Sequence, residues 1–112
     1  RLMFPVLDAA QKHGIELAVH IEPYEGRDHM TVRRDLIYIA DRYGSHPALH
    51  RYGDGGLPVI YLYDSYRTPA RDWAKVFGES GSYTVRSTES DAFIIGLAVE
   101  RKHLADIRDS GF

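Results

Sequence analysis

The sequence lacks several features that would each have indicated a class of protein. It contains no cysteine, which excludes disulfides, a thiolate nucleophile and a cysteine-based zinc site. It has no apolar run near the about 18–20 residues that cross a bilayer, so we expect no membrane contact by this segment. It also has no excess of positive charge. The 14 Lys and Arg against 16 Asp and Glu argue against nucleic-acid binding, which needs basic residues to neutralise phosphates.

What is present is enough apolar material for a core, arranged in alternating periods. Hydrophobic residues make up 44% of the chain. Period-2 or continuous apolar runs predict strands, and apolar residues at helical spacing predict helices. The predicted strands are 15–22, 58–63 and 92–99. The predicted helices are 5–13, 32–43 with Thr31 as N-cap, 69–77 with Thr68 as N-cap, and 102–109.

Some expectations concern which side chains are buried. The run 58–63 is apolar enough to predict a strand buried on both faces, with Tyr61 in the core, and 92–99 predicts a third buried strand. In the last helix we expect Leu104, Ala105 and Ile107 to face inward. Residues 78–91 read as a loop with a short extended piece at 83–86.

Strands that alternate with helices predict right-handed crossovers and a parallel sheet. Three strands cannot close a barrel, since a (β/α)8 barrel needs about 250 residues. The fold class is therefore α/β, either a small open sheet or an arc of a larger barrel. The sequence begins within a helix pattern and stops where another element should follow, so we expect an arc of about three strands and four helices, not a complete barrel. On this interpretation residues 1–112 are part of one catalytic domain, incomplete at both ends.

Ligands of such folds bind beyond the carboxyl ends of the strands. Glu22 and Asp64 follow two predicted strands and, if these are neighbours, could share one polar pocket. Two carboxylates about 5–10 Å apart serve glycoside hydrolysis; equally, each could only cap a helix or bind loop amides. Tyr24 and Tyr66 lie near the same strand ends, where an apolar ring with a polar tip suits a sugar.

Other patterns favour structural roles. His20 and Glu22 share a strand face, but two ligands do not make a metal site, so a hydrogen-bonded histidine is favoured. The glycine-rich stretch 53–56 precedes a strand and predicts a turn, because phosphate-binding loops follow one. Trp73 is expected to pack against the sheet. The charged run 33–35 is expected to be a solvated helix face.

Four stretches together resemble one family. Residues 20–27 read His-Ile-Glu-Pro-Tyr-Glu-Gly-Arg, which resembles the H-I-E-P-Y-x-G-R stretch of glycoside hydrolase family 99. Residues 43–46 (Tyr-Gly-Ser-His) and 63–66 (Tyr-Asp-Ser-Tyr) resemble two further signatures, in the same order and at similar spacing. Residues 91–100 are similar to the family's D-G-x-F-I-x-L-x-x-E segment. The resemblance covers nearly the whole chain.

The resemblance implies a (β/α)8 barrel and a retaining endo-α-1,2-mannosidase that releases glucosylated mannose from high-mannose N-glycans. It implies no cofactor and no metal. In the family's mechanism one glutamate deprotonates the sugar's own 2-hydroxyl, which attacks the anomeric carbon, and a second acts as general acid and then base. That pair of glutamates lies in a later N-E-W-H-E-G-like motif, which this sequence lacks. We therefore assign no catalytic residue here and expect the segment alone to be inactive.

By resemblance, Glu22 and Tyr24 line the sugar pocket, with Asp64 and Tyr66 beside them. An animal protein of this family would lie in the Golgi membrane with a lumenal catalytic domain; a bacterial one would be secreted or periplasmic. One departure is Asp91-Ala92 in place of Asp-Gly, since alanine tolerates positive φ poorly. Two alternatives stay open: a metal-dependent barrel hydrolase using His20 and Glu22, and a carbohydrate-binding homologue without catalysis.

Overall fold

The computed structural model describes residues 3–54 and 56–112. These residues form four α-helices and three strands in the order that the sequence predicts. The bounds are α1 Met3–Lys12, β1 Val19–Ile21, α2 His29–Tyr43, β2 Val59–Leu62, α3 Ala70–Phe77, β3 Phe93–Gly96 and α4 His103–Asp109, with a 3-10 turn at Ser65–Arg67 between β2 and α3.

The three strands form one parallel sheet in the order β1-β2-β3, which is also the order of the chain. His20 lies opposite Tyr61, which lies opposite Ile95. Each connection therefore moves one strand further across the sheet, and the carboxyl ends of all three strands lie at the same edge. We call this the carboxyl edge.

The main core lies between one face of the sheet and the helices. Buried side chains of α2 and α3 pack there against Ile60, Leu62 and Ile94 of the strands. The helix contribution includes Val32, Leu36, Trp73, Val76 and Phe77. Trp73 is buried against the sheet, as the sequence predicts. A second cluster joins α1 to the end of α2 through Leu7, Ala10, Tyr43 and Ala48.

The opposite face of the sheet is open at Tyr61 and Phe93, and this corrects the prediction that 58–63 is buried on both faces and that 92–99 is a buried strand. Tyr61 is 44% exposed and Phe93 is 37% exposed, whereas their neighbours Ile60 and Ile94 are buried. The reason is the pleat: alternate side chains face the helices, and the others face away from them. The alternation is not visible in the sequence, because tyrosine and phenylalanine count as hydrophobic residues and make each run continuous.

Three predictions about the ends of elements were wrong. The N-cap of α2 is Asp28, and Thr31 is instead the third helical residue, whose hydroxyl completes a capping box with the Asp28 backbone. Pro69, and not Thr68, occupies the N-cap position of α3. The strand predicted at 15–22 is limited to Val19–Ile21, and Leu17 pairs separately with Leu49 in an isolated parallel bridge.

The last helix turns a different face inward from the one predicted. Leu104 is 60% exposed and Ala105 is exposed, whereas His103 is buried. The His103 ring accepts hydrogen bonds at Nδ1 from the backbone N–H groups of Val99 and Glu100, at 3.2 and 3.1 Å, which holds this side of the helix against the chain. Ile107 is half-buried and lies near Gly96, in agreement with its prediction.

The predicted extended piece at 83–86 is not a strand. Tyr83 and Val85 donate backbone hydrogen bonds to Lys75 and Val76 of α3, both at 2.9 Å, so the segment folds back on that helix. Arg86 then fixes the entry to β3. Its guanidinium donates to the carbonyls of Phe77, Ala92 and Gly111 and to the Asp91 carboxylate, over 2.7–2.8 Å.

The Asp91-Ala92 departure is accommodated without strain. Among the described residues, the only non-glycine positions with positive φ are Asp64 and Ser87, so Ala92 does not need the left-handed conformation. Asp91 Oδ1 accepts from the Ala92 N–H at 2.8 Å. Within residues 3–54 and 56–112, no helix has both the length and the apolar character needed to cross a bilayer.

Candidate functional site

The candidate site lies where β1 and β2 end at the carboxyl edge. The first loop comprises residues 22–28 and the second loop residues 63–69. The strand ladder continues past the strand ends, because the Tyr63 N–H donates to the Ile21 carbonyl at 3.1 Å. The two loops therefore leave the sheet side by side.

The first loop folds back on itself through a turn at 24–27. The Arg27 N–H donates to the Tyr24 carbonyl at 3.0 Å, and Gly26 has φ +80°. A residue with a Cβ is strained at that φ, although a Cβ there would contact nothing within 4 Å. Gly26 thus lets the chain reverse and returns the side chain of Arg27 to the end of β1.

Arg27 ties the two loops together. Its Nη1 donates to the carbonyls of Tyr63 at 2.7 Å and Ile21 at 3.3 Å, and its Nη2 donates to the Asp64 carbonyl at 3.0 Å. Burial lowers the pKa of Arg27, opposed by the nearby charge of Asp64. An arginine remains charged in proteins, so these are charge-assisted hydrogen bonds. Sequence reasoning did not single out Arg27. The one feature that could have indicated it is its place as the last residue of the 20–27 motif.

Asp64 begins the second loop in an unusual conformation. It is buried, and its φ of 50° and ψ of 40° are left-handed values that few non-glycine residues adopt. Its carboxylate Oδ2 lies 3.1 Å from Arg67 Nε. The Asp64 carboxylate is therefore held within its own loop, and it does not cap the following 3-10 turn.

Glu22 is, by contrast, an exposed carboxylate at the end of β1. Its Oε1 lies 3.7 Å from Nδ1 of His20, and the His20 ring packs edge-on against Tyr63 at 5.1 Å between ring centres. Within residues 3–54 and 56–112, no cluster of three or more His, Cys, Asp or Glu side chains has the geometry to hold a metal ion.

Tyr24 is oriented by α2. Its hydroxyl donates to Asp35 Oδ2 at 2.5 Å. Burial, and then this hydrogen bond, raise the pKa of Tyr24 above its ordinary value. Asp35 belongs to the run 33–35 that the sequence indicated as a solvated helix face; it is half-buried and lines an open cleft, and its carboxylate binds the Tyr24 hydroxyl. Nothing local in the sequence marks Asp35, because its partner lies 11 residues away.

Glu22, Tyr24 and Asp35 line one open cleft of about 550 Å³ beside β1. His20 and Tyr38 also line it. Neither Asp64 nor Tyr66 does. The structure thus brings Glu22 and Tyr24 together and connects Asp64 to them through Arg27.

Tyr66 lies away from that cleft, toward α4. Its ring stacks on the imidazole of His103, with the ring centres 4.4 Å apart. The neighbouring Ser65 anchors the loop: its carbonyl accepts from Trp73 Nε1 at 2.8 Å, and its Oγ accepts from the Leu97 N–H at 3.0 Å. Sequence reasoning missed His103, which showed no ligand spacing and no helical apolar pattern.

Comparison with known proteins shows the family to which these sequence motifs belong. The model of the family named glycosyl hydrolase family 99 matches residues 1–112. A glycoprotein endo-alpha-1,2-mannosidase from Xenopus laevis is 44% identical over 110 residues, which cover 96% of this chain and 24% of that protein. A glycoprotein endo-alpha-1,2-mannosidase-like protein from Homo sapiens is 43% identical over 110 residues, with the same two shares.

The fold agrees with that of a solved relative. The GH99 endo-alpha-mannosidase from Bacteroides thetaiotaomicron superposes with a TM-score of 0.88 at 42% identity, over 95% of this chain and 30% of that chain. This chain spans about a quarter of the length of the curated relatives it matches. The resemblance noted from the sequence words is confirmed: this chain belongs to glycosyl hydrolase family 99.

Proposed function

We propose that this chain forms one arc of a (β/α)8 barrel, as part of a larger catalytic domain. The strands follow chain order, and α2 and α3 pack on the same face of the sheet. An open doubly wound sheet instead reverses its strand order and carries helices on both faces. The uncovered face, with Tyr61 and Phe93, is then the inner face of the barrel.

We propose that the parent protein is a glycoside hydrolase, and more closely a retaining endo-α-1,2-mannosidase that releases glucosylated mannose from high-mannose N-glycans. The observation that carries the proposal is the first loop. Its Glu22 carboxylate and Tyr24 ring lie beyond the carboxyl end of β1, where both line the cleft beside that strand. The loop is the His-Ile-Glu-Pro-Tyr-Glu-Gly-Arg motif of a family whose relatives bear this activity in their names.

In this proposal the chain supplies sugar-binding residues and the catalytic glutamate pair lies outside it. Glu22 accepts hydrogen bonds from sugar hydroxyls, which an exposed carboxylate can do with both oxygens. Tyr24 offers its ring face, held in place by Asp35. Asp64 and Tyr66 extend the binding surface along the carboxyl edge, Asp64 through the Arg27 link and Tyr66 from its stack on His103.

The cellular location that we propose for the parent protein depends on its source. If the parent is an animal protein, we propose a lumenal catalytic domain at the Golgi membrane, and for a bacterial parent a secreted or periplasmic enzyme. Both stay predictions from the resemblance.

The test compares Glu22→Gln with Glu25→Gln in the full-length protein, using a glucosylated high-mannose glycan as substrate. Glu25 is an exposed carboxylate in the same loop and serves as the matched control. A lost charged hydrogen bond is worth about 1.5–3 kcal/mol, so we expect kcat/KM to fall about 10- to 100-fold in the first variant and to stay unchanged in the second. Equal values for both variants would remove Glu22 from the site.

Two further measurements separate the alternatives. Activity that survives exhaustive chelation agrees with the proposal, whereas activity lost on chelation and restored by zinc would indicate the metal-dependent hydrolase. Binding of an α-1,2-linked mannose disaccharide without any cleavage would indicate the non-catalytic homologue.

A further inference from the structure

Among the described residues, Arg27 is the only one whose side chain forms hydrogen bonds between the first and the second loop. The turn at 24–27 directs it back under the loop, and its guanidinium reaches the carbonyls at the ends of two neighbouring strands. All three recorded acceptors of this side chain are backbone oxygens: those of Ile21, Tyr63 and Asp64. Such bonds fix backbone positions, which is a different task from binding a ligand.

We propose that Arg27 is a positioning residue that sets the spacing between the sugar contacts of the first loop and those of the second. This inference rests on the proposed function and deepens it. Glu22 and Tyr24 precede Arg27 in the first loop. In the second loop Arg27 holds the carbonyls of Tyr63 and of Asp64 itself, and Tyr66 follows two residues later. A sugar that contacts both loops is bound well only when the spacing between them is fixed before it arrives.

The conformation of Asp64 supports this role. A non-glycine residue in the left-handed region persists only when its surroundings hold it there, and such residues cluster at functional sites. The Asp64 carbonyl accepts two hydrogen bonds, from Arg27 Nη2 at 3.0 Å and from the Arg67 N–H at 3.1 Å. Arg27 therefore stabilises the backbone geometry that directs the Asp64 side chain.

An arginine suits this place and a lysine does not. The planar guanidinium presents donors in a fixed fork, so one side chain reaches the Tyr63 and Asp64 carbonyls from two different nitrogens. A lysine ammonium is a single point at the end of a flexible stem. The Arg27→Lys substitution keeps the charge and removes the fork, which separates positioning from electrostatics.

The experiment measures KM and kcat of full-length Arg27→Lys on the glucosylated high-mannose glycan. Arg33→Lys is the control, because Arg33 donates Nε to the Tyr83 carbonyl at 3.0 Å, outside both loops. Misplacement of binding groups by about 1 Å costs up to about 100-fold, so we expect KM to rise at least about tenfold in Arg27→Lys, with kcat largely kept. We expect wild-type values in Arg33→Lys.

The split between KM and kcat decides between positioning and mere stability. A variant that only unfolds more easily contains fewer active molecules, so kcat falls and KM stays unchanged; that result would overturn the proposal. Hydrogen exchange adds a second readout. The N–H groups of Tyr63 and Arg67 should exchange faster in Arg27→Lys than in Arg33→Lys. Their acceptors are the carbonyls of Ile21 and Asp64, and Arg27 donates a hydrogen bond to each of these carbonyls. A raised KM with unchanged exchange would mean that Arg27 contacts the sugar itself, and would also overturn the proposal.

Failure of this inference is distinguishable from failure of the proposed function. If the wild-type protein cleaves the glycan and Arg27→Lys behaves as Arg33→Lys, only the positioning role is wrong. If the wild-type protein neither binds nor cleaves the glycan, the proposed function is wrong and the positioning role falls with it.

Discussion

The Tyr66 ring lies parallel to the His103 imidazole, with ring centres 4.4 Å apart and planes 3° from parallel. His103 is in turn held by the N–H groups of Val99 and Glu100. The second loop is therefore fixed by α4 and by the chain that leaves β3, as well as by its own strand. A tyrosine proposed to contact sugar thus has a position that depends on a residue 37 positions away in the sequence.

The first prediction separates the two interactions of His103. We expect His103→Phe to keep the stack on Tyr66 and to lose the Nδ1 acceptor of two N–H groups, at a cost of about 0.5–1.5 kcal/mol each, since Val99 and Glu100 are exposed and water can replace the acceptor. We expect His103→Ala to lose both and also to raise KM, because Tyr66 is freed. Denaturant unfolding and glycan kinetics on the full-length protein measure both effects. A KM equally raised in the two variants would show that the stack does not position Tyr66.

The second prediction concerns the hydrogen bond from Tyr24 to Asp35. If Asp35 acts only by orienting Tyr24, then Tyr24→Phe, Asp35→Asn and the double variant should show similar losses of kcat/KM. Their effects should be non-additive by about 0.5–3 kcal/mol in a double-mutant cycle. Additive losses would mean that the two side chains contact the substrate independently.

Much of the fold was predictable because its signals are local. The order of helices and strands, the parallel sheet and the burial of Trp73 all follow from periodicity and from glycine and proline positions. What failed depends on neighbours distant in the sequence. Tyr61 belongs to an apolar run, and its exposure follows only from the helices' lying on one side of the sheet. Leu104 was predicted to face inward and is exposed, because the hydrogen bonds of His103 orient α4 with His103 on its buried side.

Part of the geometry of the candidate site was predictable. The sequence placed Glu22, Tyr24, Asp64 and Tyr66 just beyond the ends of two neighbouring strands, where the structure has them, and their binding of a sugar stays a prediction. It could not show that Tyr24 is bonded to Asp35, that Arg27 bridges the loops or that Tyr66 faces α4. Each of these contacts joins residues 11 or more positions apart, and side-chain reach across such a gap is set by the packed fold.

The third prediction is a pH dependence at the start of α2. The backbone N–H of Thr31 donates to the Asp28 carboxylate at 2.8 Å and lowers the Asp28 pKa. Because the folded-state pKa lies below the unfolded value, the stabilisation is present above the unfolded value and is lost as the pH falls through the folded one. We expect Asp28→Ala to cost about 1 kcal/mol at neutral pH, a loss that shrinks below about pH 4.

The control for that prediction is Asp28→Asn, since asparagine caps helices as well as aspartate but does not titrate. Urea unfolding of the full-length protein between pH 3 and 7 measures all three proteins. An Asp28→Ala deficit that is constant across this range would contradict the assignment of the cap to the ionised carboxylate.

The fourth prediction concerns residues 1–112 expressed alone. The outer strands β1 and β3 each pair on one side only among the described residues, and Tyr61, Tyr63 and Phe93 leave an aromatic face open. Exposed edges and apolar faces promote association, so we expect aggregation or poor folding in size-exclusion chromatography. A monomer that unfolds cooperatively would count against the barrel arc.

The proposed endo-α-1,2-mannosidase activity is tested most directly by identifying the product that the full-length protein releases from a glucosylated high-mannose N-glycan. Mass spectrometry resolves the released sugar from the shortened glycan. An endo-α-1,2-mannosidase cleaves inside the glycan, so we expect release of a disaccharide or larger saccharide that carries glucose on mannose. Release of single sugars only, or no release while the glycan is bound, would contradict an endo-α-1,2-mannosidase.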